Sequence, residues 1–126
     1  VIAPETIPFV QADGQKVSWV VTQLIDNGIK FTQSGGSVTI ALEEVGNNLV
    51  QVSVRDTGIG IPHNRMKEIF EPFHQLDGSS TRHYGGTGLG LSLVRQIVEA
   101  HGSLLDVKST EGKGTLFKFP LLAMRD

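Results

Sequence analysis

The sequence predicts an α/β (α+β) two-layer sandwich, in which a mixed, mostly antiparallel sheet of about five strands packs on three helices. Two observations predict this fold class. Apolar residues recur at helical spacing in long segments, and they alternate with polar residues in paired short segments. The 126 residues suit a single domain over 1–126 that can bury a core of its own.

Three segments have the pattern of helices. The first follows Asp13, a residue type favoured at N-caps, and carries an apolar stripe over 17–31. A short helical stretch is predicted over 64–70. The third segment covers 89–101 and is expected to end at Gly102, since glycine commonly follows the last turn of a helix. These segments supply the helical layer.

The strands are predicted as one short segment and two hairpins. The short strand covers 7–12. Apolar residues alternate over 38–42 and again over 50–54, which predicts a hairpin with one buried face. The second hairpin joins 105–107 to 117–121 through a glycine-rich turn. These segments supply the sheet.

Composition excludes several classes of protein. With 39% hydrophobic and 19% charged residues the chain is neither disordered nor membrane-spanning. No apolar run reaches the ~18 residues of a span, so we expect no direct membrane insertion and a cytoplasmic location, with membrane anchoring of a parent protein left open. A net charge of −2 without a Lys/Arg-rich stretch predicts no nucleic-acid partner. The absence of cysteine excludes disulfides and thiolate metal sites.

Two glycine-rich clusters, 56–61 and 85–91, are the strongest functional signal. The second cluster precedes a predicted helix, whose free N–H groups and positive end favour phosphate. It carries no lysine of the P-loop kind, and it does not match the dinucleotide fingerprint GxGxxG. Phosphate binding is therefore predicted, but by neither of the better-known phosphate loops.

A polar stripe on the first helix contains Gln23, Asn27 and Lys30 at i, i+4 and i+7. A solvated helix face explains Gln23 and Lys30. Asn27 differs because Gly28 follows it, and a small residue in mid-helix lets another group pack closely. An amide oxygen is a hard, neutral ligand that suits Mg²⁺ when a triphosphate supplies the negative charge.

Asp56 and Arg82 are the two charged candidates near the clusters. Asp56 either bonds its own backbone in a turn, or accepts a hydrogen bond from the exocyclic amine of adenine and rejects the carbonyl of guanine. Arg82 lies in a polar segment over 75–84, where it either folds onto phosphates or belongs to a mobile tip. The four histidines lack metal-like spacing, and we assign no catalytic residue with certainty.

Five segments together resemble the motifs of sensor histidine kinases, in the order in which that family carries them. They are 24–32 (LIDNGIKFT, the asparagine box), 56–61 (DTGIGI, the first glycine box), 69–73 (IFEPF, the phenylalanine box), 86–91 (GTGLGL, the second glycine box) and 112–115 (GKGT, the closing glycine box). The resemblance covers nearly the whole chain. It implies the Bergerat ATP-binding fold, shared with the GHKL topoisomerases, chaperones and mismatch-repair ATPases.

The resemblance also implies cofactors and partners. ATP and Mg²⁺ are the implied cofactors, with Asn27 and Gln23 as metal ligands. The implied cofactor-binding set is Asn27, Lys30, Asp56, Gly58, Gly60, Ile61, Phe73, Arg82, Gly86, Thr87, Gly88, Leu89 and Thr115. The phosphoacceptor histidine is expected outside this chain, on a separate dimerisation domain of the parent kinase, and a response regulator is expected downstream. We expect the isolated domain to be a monomer.

One departure from the family pattern concerns Gln23. Sensor kinases usually carry a second asparagine there, and the GHKL ATPases carry a catalytic glutamate. Glutamine keeps an amide oxygen and reaches one methylene further, but it cannot act as a general base. The departure weakens the hydrolase interpretation. A GHKL-type ATPase or serine kinase, and a degenerate ATP-sensing module, stay as alternatives.

Overall fold

The computed structural model describes residues 12–33, 35–46, 48–70 and 90–123. The elements of these residues are α1 (Gly14–Phe31), β1 (Val38–Val45), β2 (Leu49–Asp56), two single 3₁₀ turns (His63–Arg65 and Glu68–Phe70), α2 (Gly90–Ala100), β3 (Asp106–Thr110) and β4 (Gly114–Leu122). The stretch predicted over 64–70 therefore forms two 3₁₀ turns instead of one helix. Tight i→i+3 bonding of this kind is common in short connecting segments.

The four described strands form one antiparallel sheet in the order β1-β2-β4-β3. β1 pairs with β2 from Val38↔Asp56 to Val45↔Leu49, and β4 lies on the other side of β2. Both predicted hairpins are confirmed, and among the described strands β3 pairs only with β4. Of the strand predicted over 7–12, only Ala12 belongs to the described residues.

The helix ends follow the capping residues in the sequence. The carboxylate of Asp13 accepts a hydrogen bond from the Lys16 N–H at 3.1 Å, which satisfies one of the free donors at the start of α1. At the end of α2, the Gly102 N–H donates to the Glu99 carbonyl at 3.0 Å. The predicted cap at the start of α1 and the predicted end of α2 at Gly102 are confirmed. No helix within the described ranges combines the length and hydropathy needed to cross a membrane.

The core lies between the helices and one face of the sheet. Its fully buried members are Val20, Leu24, Val52, Val54, Ile61, Ile69, Val94, Val98, Phe117, Phe119 and Leu121. Burial of each such side chain contributes roughly 1.5–3 kcal/mol. Because these residues come from α1, α2, the strands β2 and β4, the loop after β2 and the second 3₁₀ turn, their contacts hold both helices firmly over the sheet.

His101 joins the two helices at the N-terminal end of α1. Its Nδ1 lies 2.8 Å from the Ile97 carbonyl oxygen, and its Nε2 accepts a hydrogen bond from the Asp13 N–H at 3.0 Å. Both ring nitrogens are therefore engaged in holding the end of α2 against the start of α1. This role is structural.

Candidate functional site

Three polar side chains form a row across the sheet, at one end of its buried face. The strand register pairs Asp56 with Thr115 and Thr115 with Ser109, so the three residues lie side by side on β2, β4 and β3. In the next row inward, the same strands carry only apolar side chains. Asp56 and Thr115 are 7% and 6% exposed. The sheet thus presents a buried polar row on the side that the helices cover.

Asp56 is the one acidic residue among the buried residues that the structure describes. Its Oδ1 accepts hydrogen bonds from the N–H groups of Gly58 at 2.8 Å and Thr115 at 3.3 Å. Burial raises the pKa of this carboxyl, and the two backbone hydrogen bonds lower it in part. No donor among the described residues reaches Oδ2. The carboxylate therefore bonds its own turn and β4 through Oδ1, and Oδ2 has no hydrogen-bond donor among the described residues.

Helix α1 approaches Asp56 closely because residue 28 has no side chain. A Cβ on Gly28 would lie 3.1 and 3.2 Å from the two methyl groups of Val38 and 3.4 Å from the Cβ of Asp56. Gly28 is buried, and the neighbouring Asn27 is half-buried. The close packing that the sequence predicted at this glycine is therefore present, and it brings the turn of α1 that carries Asn27 alongside Asp56.

Backbone hydrogen bonds hold the loop after β2 from several sides. The Ile59 N–H donates to the Phe31 carbonyl at 3.1 Å, at the end of α1. The Gly112 N–H in turn donates to the Ile59 carbonyl at 2.7 Å. The Ile61 N–H donates to the Oγ of Ser109 at 2.7 Å. The loop is thus fixed between α1 and the β3–β4 hairpin.

The two inner glycines of this loop are required by contacts within the protein. A Cβ on Gly58 would meet the carbonyl oxygen of Phe31, and a Cβ on Gly60 would meet that of Thr110. Backbone cannot move aside as a flexible side chain can. These glycines shape the site by letting the loop lie against its neighbours.

Gln23 lies where α1 meets the first turn of α2. A Cβ on Gly90 would be 3.1 Å from the Oε1 of Gln23. Gln23 and Asn27 are one helical turn apart, so two amide groups follow the same side of α1. In the described ranges, no group of three or more His, Cys, Asp or Glu side chains is placed to hold a metal. Amide oxygens fit Mg²⁺ when the ligand brings the negative charge.

The structure brings together about half of the predicted site residues. Asn27, Asp56, Gly58, Gly60, Ile61 and Thr115 lie around the polar row, and Lys30 is exposed at the end of α1. Phe73, Arg82, Gly86, Thr87, Gly88 and Leu89 lie outside the described residues.

Phe70, the first aromatic residue of the 69–73 segment, is half-buried against α2. The guanidinium carbon of Arg95 lies 4.8 Å from the centroid of its ring, within the range of a cation–π contact. This contact ties the end of the second 3₁₀ turn to α2. The polar segment over 75–84 that contains Arg82 lies outside the described residues.

A cavity of about 390 Å³ adjoins the loop that follows β2. It is lined by Gln33, Gly36, Thr57, Gly58, Ile59 and Gly112. The side chains of the polar row are not among its lining residues, although the Gly58 that lines it bonds Asp56 through its N–H.

Sequence reasoning missed Ser109. This residue occupies an inward-facing position on β3, two residues after Val107, and it supports both the loop and Thr115. The available signal was the alternation itself, because a polar residue at an inward position of a strand needs a hydrogen-bond partner.

Known proteins that resemble the chain agree with the geometry. Residues 12–125 match the family described as "Histidine kinase-, DNA gyrase B-, and HSP90-like ATPase". The chain is 38% identical to the sensor histidine kinase WalK of Bacillus subtilis over 119 residues, which cover 94% of the chain and 20% of WalK. It is 40% identical to the adaptive-response sensory kinase SasA of Crocosphaera subtropica over 122 residues, covering 97% of the chain and 31% of SasA. The chain therefore spans less than a third of these relatives.

Solved structures have the same fold. Full-length ShkA in complex with AMPPNP aligns with a TM-score of 0.83 at 28% identity, covering 99% of this chain and 26% of ShkA. The nucleotide-free catalytic domain of the histidine kinase ThkA aligns with a TM-score of 0.74 at 33% identity, covering 90% of this chain and 70% of that one. These matches confirm the predicted two-layer Bergerat fold.

Proposed function

The chain belongs to the histidine kinase-, DNA gyrase B- and HSP90-like ATPase family, and on that basis we propose that it binds Mg-ATP and donates the γ-phosphate to a histidine on a separate dimerisation domain. In this role it is the kinase module of a two-component system, and a response regulator accepts the phosphoryl group downstream. Support comes from relatives named as sensor histidine kinases and from the AMPPNP complex of ShkA.

The observation that carries the proposal is the environment of Asp56. Two backbone N–H groups saturate Oδ1, and Oδ2 is left to accept from a ligand. The exocyclic amine of adenine is a donor at the position where guanine carries a carbonyl oxygen. A buried carboxylate therefore favours adenine, because the wrong base would leave two acceptors facing each other.

The amide groups of α1 suit the triphosphate. Asn27 and Gln23 would hold Mg²⁺, which supplies neutralising charge to the β- and γ-phosphates when it is bound. Lys30, exposed at the end of α1, adds a positive charge that can approach the phosphates. The N–H groups at the start of a helix favour anions, so the start of α2 would add donors for the same phosphates. Positioning and charge neutralisation provide most of what phosphoryl transfer needs.

The residue at position 23 favours transfer over hydrolysis. An amide has no lone pair basic enough to take a proton from water at neutral pH, so Gln23 cannot serve as a general base. A GHKL-type ATPase needs such a base. The absence of a carboxylate at this position is the reason to prefer a phosphoryl acceptor on a separate domain.

Incubation with γ-labelled ATP and Mg²⁺ tests the proposal. We expect the chain by itself to release little phosphate and to remain unlabelled. A separately added dimerisation domain with its histidine should become labelled, and only weakly, since no tether raises its effective concentration. An Asp56→Asn variant should transfer little label. Rapid phosphate release would instead indicate an ATPase, and tight ATP binding without any transfer would indicate a degenerate ATP-sensing module.

A further inference from the structure

We infer that Ser109 controls base selectivity by holding the hydroxyl proton of Thr115 away from the ligand. Asp56 and Thr115 then present only hydrogen-bond acceptors to the base. The inference rests on the proposed function, because it concerns how the same site selects adenine. It adds a positioning residue on β3 that does not itself reach the nucleotide.

Three polar groups surround the Oγ of Ser109. The Ile61 N–H donates to it at 2.7 Å. The Gly114 carbonyl oxygen lies 3.0 Å away, and the Thr115 Oγ1 lies 2.8 Å away. All three distances are within the range of good hydrogen bonds.

Counting protons assigns the direction of each bond. A serine hydroxyl has one proton and two acceptor sites, and the Ile61 N–H fills one of those sites. The Gly114 carbonyl can only accept, so the Ser109 proton points to it. The second acceptor site of Ser109 then receives the proton of Thr115. In the reverse arrangement the 3.0 Å contact between Ser109 and Gly114 would contain no proton, leaving two acceptors face to face.

This arrangement determines what the ligand meets. With its proton directed to Ser109, the Thr115 oxygen has only lone pairs left for the nucleotide side. Thr115 is the immediate neighbour of Asp56 in the polar row, and its N–H bonds that carboxylate. A base that presents an amine can donate hydrogen bonds to Asp56 and Thr115. A base that presents a carbonyl finds no donor there.

Ser109 acts through Thr115 and not directly. Thr115 lies between Ser109 and Asp56 in the row, so Ser109 is two strands away from the carboxylate, or about 10 Å at the usual strand spacing. When the serine hydroxyl is removed, the Thr115 hydroxyl loses its acceptor and can turn to donate. A carbonyl-bearing base then gains a partner.

Binding of ATP and ITP tests this arrangement of hydrogen bonds. Hypoxanthine differs from adenine only at this edge, where it carries a carbonyl in place of the amine and a proton on N1, so the ratio of the two dissociation constants reports on the edge alone. In Ser109→Ala we expect the preference for ATP to fall about tenfold, the equivalent of ~1.4 kcal/mol. Ser109→Thr keeps the hydroxyl and should keep the wild-type ratio. A ratio in folded Ser109→Ala equal to that of the wild type would overturn the inference.

Two further variants separate selectivity from stability. Ser103→Ala is a matched control, because it removes a serine hydroxyl that lies away from the polar row. The Ser103 hydroxyl donates to the Pro120 carbonyl at a distance of 2.6 Å. This variant should lose stability without changing the ratio. In a Thr115→Val background no hydroxyl can turn, so adding Ser109→Ala should leave the ratio unchanged. An equal drop in both backgrounds would mean that Ser109 acts by some route other than Thr115.

The wild-type protein gives a test that needs no variant. Its Thr115 hydroxyl proton should show nuclear Overhauser contacts to the β-protons of Ser109 in the NMR spectrum. Contacts to the β-protons of Asp56 instead would overturn the inference. If the wild type fails to prefer ATP over ITP, the proposed adenine site fails, and the NMR measurement still reports the direction of the Thr115 proton.

Discussion

The two hairpin turns of this domain contain similar residues and have different roles. The β1–β2 turn contains Gly46 at a φ of +55°, and an added Cβ there would have nothing within 4 Å. The β3–β4 turn leads into Gly114 at a φ of +133°, and an added Cβ there would meet the carbonyl oxygen of Asp56. The first turn reverses the chain at the opposite end of β2 from Asp56. The second also forms a wall of the candidate site.

The difference shows that a glycine in a hairpin turn can have a role in the turn alone or can also help to form the candidate site. Both glycines adopt backbone angles that L-residues avoid, so the sequence marks both as turns. The Asn48 carbonyl of the first turn accepts a hydrogen bond from the Ala123 N–H at 2.7 Å, whereas the second turn meets Asp56, and its hairpin also supplies the Gly112 N–H that bonds the Ile59 carbonyl. Substitutions that separate stability from nucleotide binding should therefore distinguish the two turns.

Gly114→Ala should have the largest effect. The new methyl group would overlap the Asp56 carbonyl, and its φ adds backbone strain, so we expect a loss of unfolding free energy on the order of 3 kcal/mol or more. Nucleotide affinity should fall as well, since Asp56 must move. Urea denaturation and calorimetry measure the two effects. A variant with wild-type stability would show that the close approach is absent in solution.

Asp56→Asn should weaken ATP binding by ~1–3 kcal/mol without destabilising the free domain. Burial raises the pKa of this carboxyl above its ordinary value of 3.8, so the folded state holds the proton more tightly than the unfolded state. The contribution of Asp56 to stability is therefore greatest below pH 3.8 and falls as pH rises through the elevated pKa. The variant should lose this part of the pH dependence. Its unfolding free energy, measured across pH without nucleotide, checks the sign.

Gly28→Ala should destabilise the domain by ~1 kcal/mol although alanine is the better helix former. Its Cβ would press on the Val38 methyl groups and separate α1 from Asp56. Gly14→Ala is the matched control on the same helix, because an added Cβ there meets nothing within 4 Å. That variant should gain up to ~1 kcal/mol. Thermal unfolding compares the two, and equal effects would argue against a special contact at Gly28.

Gly46→Ala should give the smallest effect, a loss of about 1 kcal/mol from backbone strain alone. ATP affinity should equal that of the wild type, because no group of the site touches this turn. A loss of affinity in Gly46→Ala comparable to that in Gly114→Ala would remove the distinction between the two hairpins.

Local patterns predicted most of the fold and part of the site. Features that depend on near neighbours in the chain were predicted correctly. They are the cap at Asp13, the end of α2 at Gly102 and both hairpins. The predicted helix over 64–70 was wrong in detail. The segment forms two 3₁₀ turns, which are too short for a helical pattern to specify. Sensor-kinase motifs indicated Asn27 and Asp56 as site residues before any geometry was known.

The sequence by itself determined most of the elements, the caps and the family of this protein, because propensity and capping depend on residues close together in the chain and each motif is recognised from its own few residues. Tertiary structure alone decided how the polar row is assembled. The Thr115 N–H and the Asp56 carboxylate that it bonds are 59 positions apart, and the Ile61 N–H and Ser109 are 48 apart. Strand register brings such residues together, and register is set by packing the whole buried face at once.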